Sequence, residues 1–187
     1  ASNCVTENCF FTHCYRPALF CHGRTNIIRG CNFYKCGYGI ACSGVGPGNI
    51  LEDNLMVECG QSAEEDINNI NVQYPEGGGP TVFKGNCLAM VFIHNTIADN
   101  PGTGWYADID AKSCRIIGNA FWNNPGGGIY NEYAVDDTLV MGNYFYQNGC
   151  VSAMCMRLNI IDNFFDECGV TWHIREWWPL RNGYMFM

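Results

Sequence analysis

The 187-residue sequence predicts an all-β fold, a right-handed parallel β-helix of about seven coils. Two observations predict it: a repeat about 23 residues long, and the absence of helical periodicity within any repeat. A period in this range is typical of solenoids, in which each repeat buries its apolar face against its neighbours. The predicted repeat centres are Asn8, Cys31, Asn54, Asn95, Asn119, Asn143 and Asn163.

Each repeat carries the same kinds of side chain around its centre. An apolar residue stands three positions before the centre, a second stands two positions after it, and a polar or thiol residue stands five positions after it. Parallel strands place equivalent residues about 4.8 Å apart, so amides can hydrogen-bond and rings can stack from coil to coil. The predicted interior apolar column is Phe10, Phe33, Met56, Ile97, Phe121, Phe145 and Phe165.

Short apolar-alternating runs broken by glycine and asparagine predict the strands, as at residues 26–29, 49–52 and 114–117. A leucine-rich repeat of similar period would need roughly ten residues of helical periodicity, and no repeat has them. Strands therefore account for the whole repeat.

One interval in the repeat is longer than the others. The 41 residues from Asn54 to Asn95 correspond to one coil and about 18 additional residues, which we assign to an inserted loop at residues 61–85. Such insertions often lie on the binding face of a solenoid. Residues 1–187 are predicted to form one domain. The sequence opens inside a repeat and stops at an apolar end without an obvious cap, so we expect either a fragment of a longer chain or divergent caps.

Composition restricts the partners and the location. The net charge of −8 argues against binding to nucleic acid or to an anionic membrane. No signal peptide and no run of 18 apolar residues is found. The thirteen cysteines are odd in number and several face the interior, so we expect mostly free thiols and no metal site, with some disulfides or a zinc site as alternatives. Reduced thiols favour the cytoplasm or secretion by an anaerobe.

Two acidic residues occupy the same slot in successive coils. Asp108 lies thirteen residues after Asn95, and Glu132 lies thirteen residues after Asn119. Stacked strands would place their carboxyl groups about 5 Å apart, which is typical of retaining glycosidases. Like charges this close also separate the two pKa values, leaving one acid protonated and the other ionised.

Alternation along these strands predicts which side chains face solvent if Trp105 points inward. The predicted outward residues are Tyr106, Asp108, Asp110, Tyr130 and Glu132. The tyrosines would then contact a sugar, whereas the alternative is an ordinary solvated acidic surface. Asp110, with Asp136 and Asp137, could also form a calcium cluster.

The repeat pattern resembles that of the right-handed parallel β-helix proteins of the pectate-lyase-like superfamily. Within it, Gly104–Asp108 followed by Glu132 is similar to the β-helix β-xylosidases of glycoside hydrolase family 120. This resemblance implies that Asp108 is the nucleophile and Glu132 the general acid/base. Trp105 stands one place earlier than the tryptophan of that family, and residues 134–136 replace its His-Gly-Pro segment.

Other residues are weaker candidates for contacts with a sugar. His94 precedes a ladder asparagine and should point outward. The C-terminal aromatic run would form a sugar-stacking wall or, alternatively, a cap on the solenoid. Its candidate residues are His173, Glu176 and Trp177.

The favoured function is a retaining glycoside hydrolase acting on a plant or microbial polysaccharide or oligosaccharide. One alternative is a polysaccharide lyase or epimerase assisted by calcium at Asp108, Asp110 and Glu132. The other is a non-enzymatic sugar-binding or structural solenoid, since fold alone does not decide function. No cofactor is expected, calcium being the alternative, and the sequence does not predict the oligomeric state.

Overall fold

The computed structural model describes residues 2–14, 17–60, 81–84, 87–108, 111–131, 136–148, 151–153 and 157–168. Side chains are described for these residues except Ser43, residues 81–84, Asp108 and residues 151–153. Within these ranges the chain has twenty β-strands and no helix, and paired strands run parallel. The predicted all-β parallel solenoid is confirmed. The described part of the chain has no helix able to cross a membrane.

The strands form three sheets that follow one another around each coil. Sheet A contains β1 (Val5–Glu7), β4 (Ile27–Arg29), β7 (Ile50–Glu52), β10 (Val91–Ile93), β13 (Arg115–Ile117), β16 (Thr138–Met141) and β19 (Leu158–Ile161). Sheet B contains β2 (Phe10–Thr12), β5 (Asn32–Tyr34), β8 (Leu55–Val57), β11 (Thr96–Ala98), β14 (Ala120–Trp122), β17 (Tyr144–Tyr146) and β20 (Phe164–Asp166). Sheet C contains β3 (Pro17–Gly23), β6 (Tyr38–Val45), β9 (Thr81–Lys84), β12 (Thr103–Asp108), β15 (Gly127–Asn131) and β18 (Val151–Ala153).

Single residues in the left-handed backbone region close the corners between sheets. The corner between sheets A and B has φ values of 52° to 63° in Asn8, Gly30, Asp53, His94, Gly118, Gly142 and Asp162. All but His94 are glycine, asparagine or aspartate, the residues that adopt this conformation at least cost. The corner between sheets B and C uses the same conformation in His13, Lys35, Glu58, Asp99, Asn123, Gln147 and Glu167. Each coil is therefore closed by local turns.

An asparagine ladder runs through the interior where sheets A and B meet. Its members are Asn54, Asn95, Asn119, Asn143 and Asn163. Asn95 Nδ2 donates to Asn119 Oδ1 at 3.1 Å, and this oxygen also accepts the backbone N–H of Asn95 at 2.8 Å. Asn119 Nδ2 donates in turn to Asn143 Oδ1 at 3.0 Å. These amides can be buried because their donors and acceptors are satisfied.

The predicted alignment of the first coil is wrong by one residue. The pairing of β2 with β5 places Cys9, not Asn8, beside Cys31 in the ladder. Asn8 instead forms a corner, with φ of 54°. Phe11 packs in the apolar column, whereas Phe10 is 65% exposed. Asparagine suits both a ladder and a left-handed corner, so residue type alone does not distinguish the two positions.

The apolar column next to this ladder consists of Phe11, Phe33, Met56, Ile97, Phe121, Phe145 and Phe165. The rings of Phe121 and Phe145 stack with centroids 5.1 Å apart and planes 5° apart. Sheet C leaves room for these rings by using glycine. A Cβ atom on Gly128 would lie 2.6 Å from Cδ1 of Phe145, and one on Gly104 would lie 2.7 Å from Cδ1 of Phe121.

The long interval is one coil, as predicted, because Asn54 bonds directly to Asn95. The predicted inserted loop is too long at its C-terminal end, however. Thr81–Lys84 forms β9 in sheet C, between β6 and β12. Without this strand, β6 and β12 would each lose their hydrogen-bonding partner on one side. Residues 61–80 lie outside the described residues.

Candidate functional site

The predicted sugar site lies on the outer face of sheet C. Tyr106 pairs with Tyr130, as the shared slot requires, and their rings stack with centroids 5.5 Å apart. Trp105 and Ile129 are fully buried, as predicted. Tyr106 is only 4% exposed, however, because it packs with Tyr38 and Tyr130. Strand alternation correctly predicted that Tyr106 lies on the outer face, but it did not predict that neighbouring tyrosines bury the side chain.

The predicted nucleophile Asp108 is the last residue of β12 and pairs with Lys84 of β9. On its other side, the register of β12 with β15 extends to Asn131, the residue before Glu132. Trp105 Nε1 donates a 3.2 Å hydrogen bond to Asn131 Oδ1, which fixes this strand end in the interior. The Asp108 side chain and Glu132 lie outside the described residues, so the carboxylate pair stays a prediction.

The remaining predicted contacts are not brought together in the described residues. His94 lies at the corner between sheets A and B, with its side chain 63% exposed and its Nδ1 4.0 Å from Asp53 Oδ1. This corner is not the one at which β12 ends. The other predicted contacts, Asp110, His173, Glu176 and Trp177, lie outside the described residues.

Asp136, one of the residues considered for calcium, is held by an arginine. Arg157 Nε and Nη2 donate to its two carboxylate oxygens at 2.9 and 2.7 Å. These hydrogen bonds lower the pKa of Asp136. The guanidinium thus already satisfies the charge that a calcium ion would have to neutralise.

A feature that sequence reasoning missed is a pair of buried thiols between the first two strands of sheet C. Cys21 and Cys42 are partners in the pairing of β3 with β6 and are 4% and 1% exposed. Their thiols are close enough to influence each other's pKa. Asn26 Nδ2 donates to Cys21 Sγ at 3.7 Å, and the Cys21 thiol donates to Asn49 Oδ1 at 3.9 Å. A shared motif could have revealed this pair, because both cysteines stand two residues after an aliphatic residue and two before a glycine.

Other cysteines continue the interior ladders in the first coils. Cys9 and Cys31 precede the asparagine ladder, and Cys14, Cys36 and Cys59 precede a second ladder formed by Asn100, Asn124 and Asn148. Their thiol protons are directed mainly to backbone carbonyl oxygens, at 3.3 Å from Cys31 to Arg29 and 3.5 Å from Cys36 to Tyr34. All eleven cysteines in the described ranges are free thiols, as predicted.

The environments of these thiols give them different pKa values. The neighbouring Cys42 thiol lowers the pKa of Cys21, with a contribution from Asn26. Burial raises the pKa of Cys42 well above its usual range. Burial likewise raises the pKa of Cys59 and of Cys87 to about 12, and that of Cys114 to about 11. Most of the interior thiols are therefore protonated at neutral pH.

The comparisons with known proteins identify the family of the chain. The model of the NosD family, described as periplasmic copper-binding protein, matches residues 1–154. The chain belongs to the NosD family. A comparison with curated proteins and one with solved structures found no significant match.

The NosD match corrects two expectations from the sequence. The expectation of no cofactor is wrong, because the family is described as copper-binding. The expectation of a cytoplasmic location is also wrong, because the family is described as periplasmic. The cytoplasmic expectation came from taking free thiols as a sign of a reducing compartment. The match supports a β-helix family but not the finer resemblance to pectate lyases or to family 120.

Proposed function

We propose that this chain is a periplasmic, non-enzymatic β-solenoid that binds copper(I) as cargo through paired cysteine thiols. The observation that supports this most directly is the stacking of free thiols on neighbouring strands inside the solenoid. The choice of copper as the metal is supported by the description of the NosD family as copper-binding. Thiolate sulfur is a soft ligand that favours copper(I) over hard cations.

The donor set fits copper(I) better than other metals. Within the described ranges, no three His, Cys, Asp or Glu side chains are arranged to hold a metal ion. Structural zinc sites use four ligands, and copper(II) prefers nitrogen and oxygen ligands in a tetragonal arrangement. Copper(I) is held stably by two thiolates, so a stacked pair such as Cys21–Cys42 or Cys9–Cys31 would suffice.

The test is an anaerobic titration of the reduced protein with copper(I) held by a chromogenic chelator. We expect the protein to withdraw at least one equivalent of copper(I) and to gain near-ultraviolet absorbance from sulfur-to-copper charge transfer. Protein whose cysteines have been alkylated is the control and should withdraw none. If the chelator keeps all of the copper(I) in the presence of the reduced protein, the proposal is rejected.

A retaining glycoside hydrolase is a second candidate, favoured by the in-register pairing of β12 with β15. In this proposal Asp108 attacks the anomeric carbon of an oligosaccharide or polysaccharide. Glu132 protonates the leaving group and then activates water. Tyr130, at the partly exposed edge of the tyrosine stack, would contact the sugar.

Aryl glycosides and natural oligosaccharides test this candidate. Asp108→Asn should abolish activity on both substrates. Glu132→Gln should slow hydrolysis of natural substrates by roughly 100- to 10,000-fold, while sparing the first step with good leaving groups. Asp53→Asn changes an exposed acid at a different corner and should be silent. Absence of glycoside hydrolysis by the unmodified protein would reject the candidate.

A further inference from the structure

We propose that Cys21 and Cys42 are the primary copper(I) site and that a disulfide between the same two sulfur atoms closes this site. The inference rests on the proposed copper(I) binding. The two residues are direct partners in adjacent parallel strands, and both are buried. Such partners have Cα atoms about 4.8 Å apart, within the range of about 4.4–6.8 Å that disulfides span.

Hydrogen bonding distinguishes Cys21 from the other stacked thiols. A metal-bound thiolate has no proton to donate and is repelled by carbonyl oxygens. Cys31 and Cys36 donate to backbone carbonyls at 3.3 and 3.5 Å, so metal binding there would break these bonds. Cys21 instead accepts an N–H from Asn26 Nδ2 at 3.7 Å. The same nitrogen also donates to the His22 carbonyl oxygen at 3.3 Å, and a thiolate would be a stronger acceptor than the neutral thiol.

The asparagine that donates to Cys21 is itself held in place. Asn26 Nδ2 also donates to Asn49 Oδ1 at 2.9 Å, and the same oxygen accepts the backbone N–H of Asn26 at 3.0 Å. The contact that a thiolate at Cys21 would lose, its own bond to Asn49 Oδ1, is long at 3.9 Å. The site therefore keeps its strongest contacts when Cys21 loses its proton.

Burial distinguishes the two thiols of the pair. Cys21 is 4% exposed and Cys42 is 1% exposed. A reagent therefore reaches Cys21 before Cys42.

Closure of the site is a thiol–disulfide exchange with a disulfide oxidant. The Cys21 thiolate attacks one sulfur of the oxidant, which forms a mixed disulfide and releases one thiol. The Cys42 thiolate then attacks the Cys21 sulfur, which forms the Cys21–Cys42 bond and releases the second thiol. The two cysteines lose two electrons and two protons, and the oxidant gains them. The product has no thiolate left to hold copper(I).

The first experiment uses the reduced protein, and its matched control is another buried thiol. Cys21→Ala and Cys42→Ala should each remove the tightest equivalent in the chelator titration, whereas Cys36→Ala should retain it. In the unmodified protein, one equivalent of copper(I) should protect Cys21 and Cys42, but not Cys36, from alkylation, as read by peptide mass spectrometry. The protection measurement needs no variant, so it decides the question even if a variant fails to fold.

The second experiment treats the unmodified protein with oxidised glutathione. Peptide mapping should find Cys21 joined to Cys42, and the oxidised protein should lose the tightest equivalent, which returns on reduction. A Cys21 that joins another cysteine, or an oxidised protein that keeps its full affinity, would overturn the closure.

The outcomes separate the two proposals. Reduced protein that binds copper(I) tightly without protecting Cys21 and Cys42 would overturn the assignment of the site and leave the proposed function standing. Reduced protein that binds no copper(I) would overturn both.

Discussion

Replacing Asn119 by alanine tests whether the asparagine ladder determines the stability of the middle coils. Asn119 is 1% exposed, and its side chain forms five hydrogen bonds. It donates to the carbonyl oxygens of Phe92 and Ile117 and to Asn143 Oδ1, and it accepts both N–H groups of Asn95. Asn119 thus joins its coil to both neighbouring coils through this ladder.

The hydrogen bonds of Asn119 give the expected loss in the free energy of unfolding. In the alanine variant, the buried backbone N–H of Asn95 loses the oxygen that it meets at 2.8 Å, which costs about 1–3 kcal/mol. Loss of the remaining hydrogen bonds contributes about 0.5–1.5 kcal/mol for each bond that water does not replace. We therefore expect a loss of roughly 3–5 kcal/mol in the free energy of unfolding.

Urea denaturation followed by circular dichroism measures this loss. Asn32→Ala, at an exposed position of β5, is the matched control and should change stability by less than about 0.5 kcal/mol. If the free energy of unfolding of Asn119→Ala lies within about 1 kcal/mol of that of the unmodified protein, the asparagine ladder does not determine the stability of the middle coils.

Two further predictions concern an ion pair and the glycines. Because Arg157 lowers the pKa of Asp136 in the folded state, the pair stabilises the protein above the usual carboxyl pKa, and this contribution is lost as the pH falls through the lowered value. Asp136→Asn should cost roughly 0.5–1 kcal/mol at pH 7 and progressively less as the pH falls below the usual carboxyl pKa, as read by urea denaturation across this range. A cost that does not decrease with pH would contradict the assignment. Gly126→Ala should cost about 1–3 kcal/mol, because its Cβ would lie 2.7 Å from the Gly102 carbonyl carbon. Gly142 lies at a corner with φ of 63° and has open space around it, so Gly142→Asn should change thermal stability little. A larger loss of stability for Gly142→Asn than for Gly126→Ala would contradict the role assigned to the corners.

The fold was predictable because the period constrains every coil at once. Stacking requires the same residue types at the same spacing, so an error at one position leaves the architecture unchanged. The misplacement of Asn8 shows the limit, since asparagine is favoured at two neighbouring positions for different reasons. The strand Thr81–Lys84 was missed because it directly follows a polar insertion that masks the repeat.

The candidate sites were less predictable, because function depends on exposure and on contacts across coils. Alternation placed Tyr106 on the outer face but could not show that Tyr38 and Tyr130 would cover it. The Cys21–Cys42 pair was missed because the repeat template was centred on sheets A and B. Sheet C strands vary in length from three to eight residues, so the register within this sheet is harder to read from sequence.

The replacement of amides by thiols in the first coils has a consequence for local opening. A thiol is a weak donor with a single proton, and Cys36 directs it to backbone carbonyl oxygens, whereas the Asn119 amide both donates and accepts across neighbouring coils. Backbone amides in the first two coils should therefore exchange with deuterium before those of the middle coils. Cys21 and Cys42 lie in this softer region. An ion could thus enter by a local fluctuation while the amide-bonded coils remain intact.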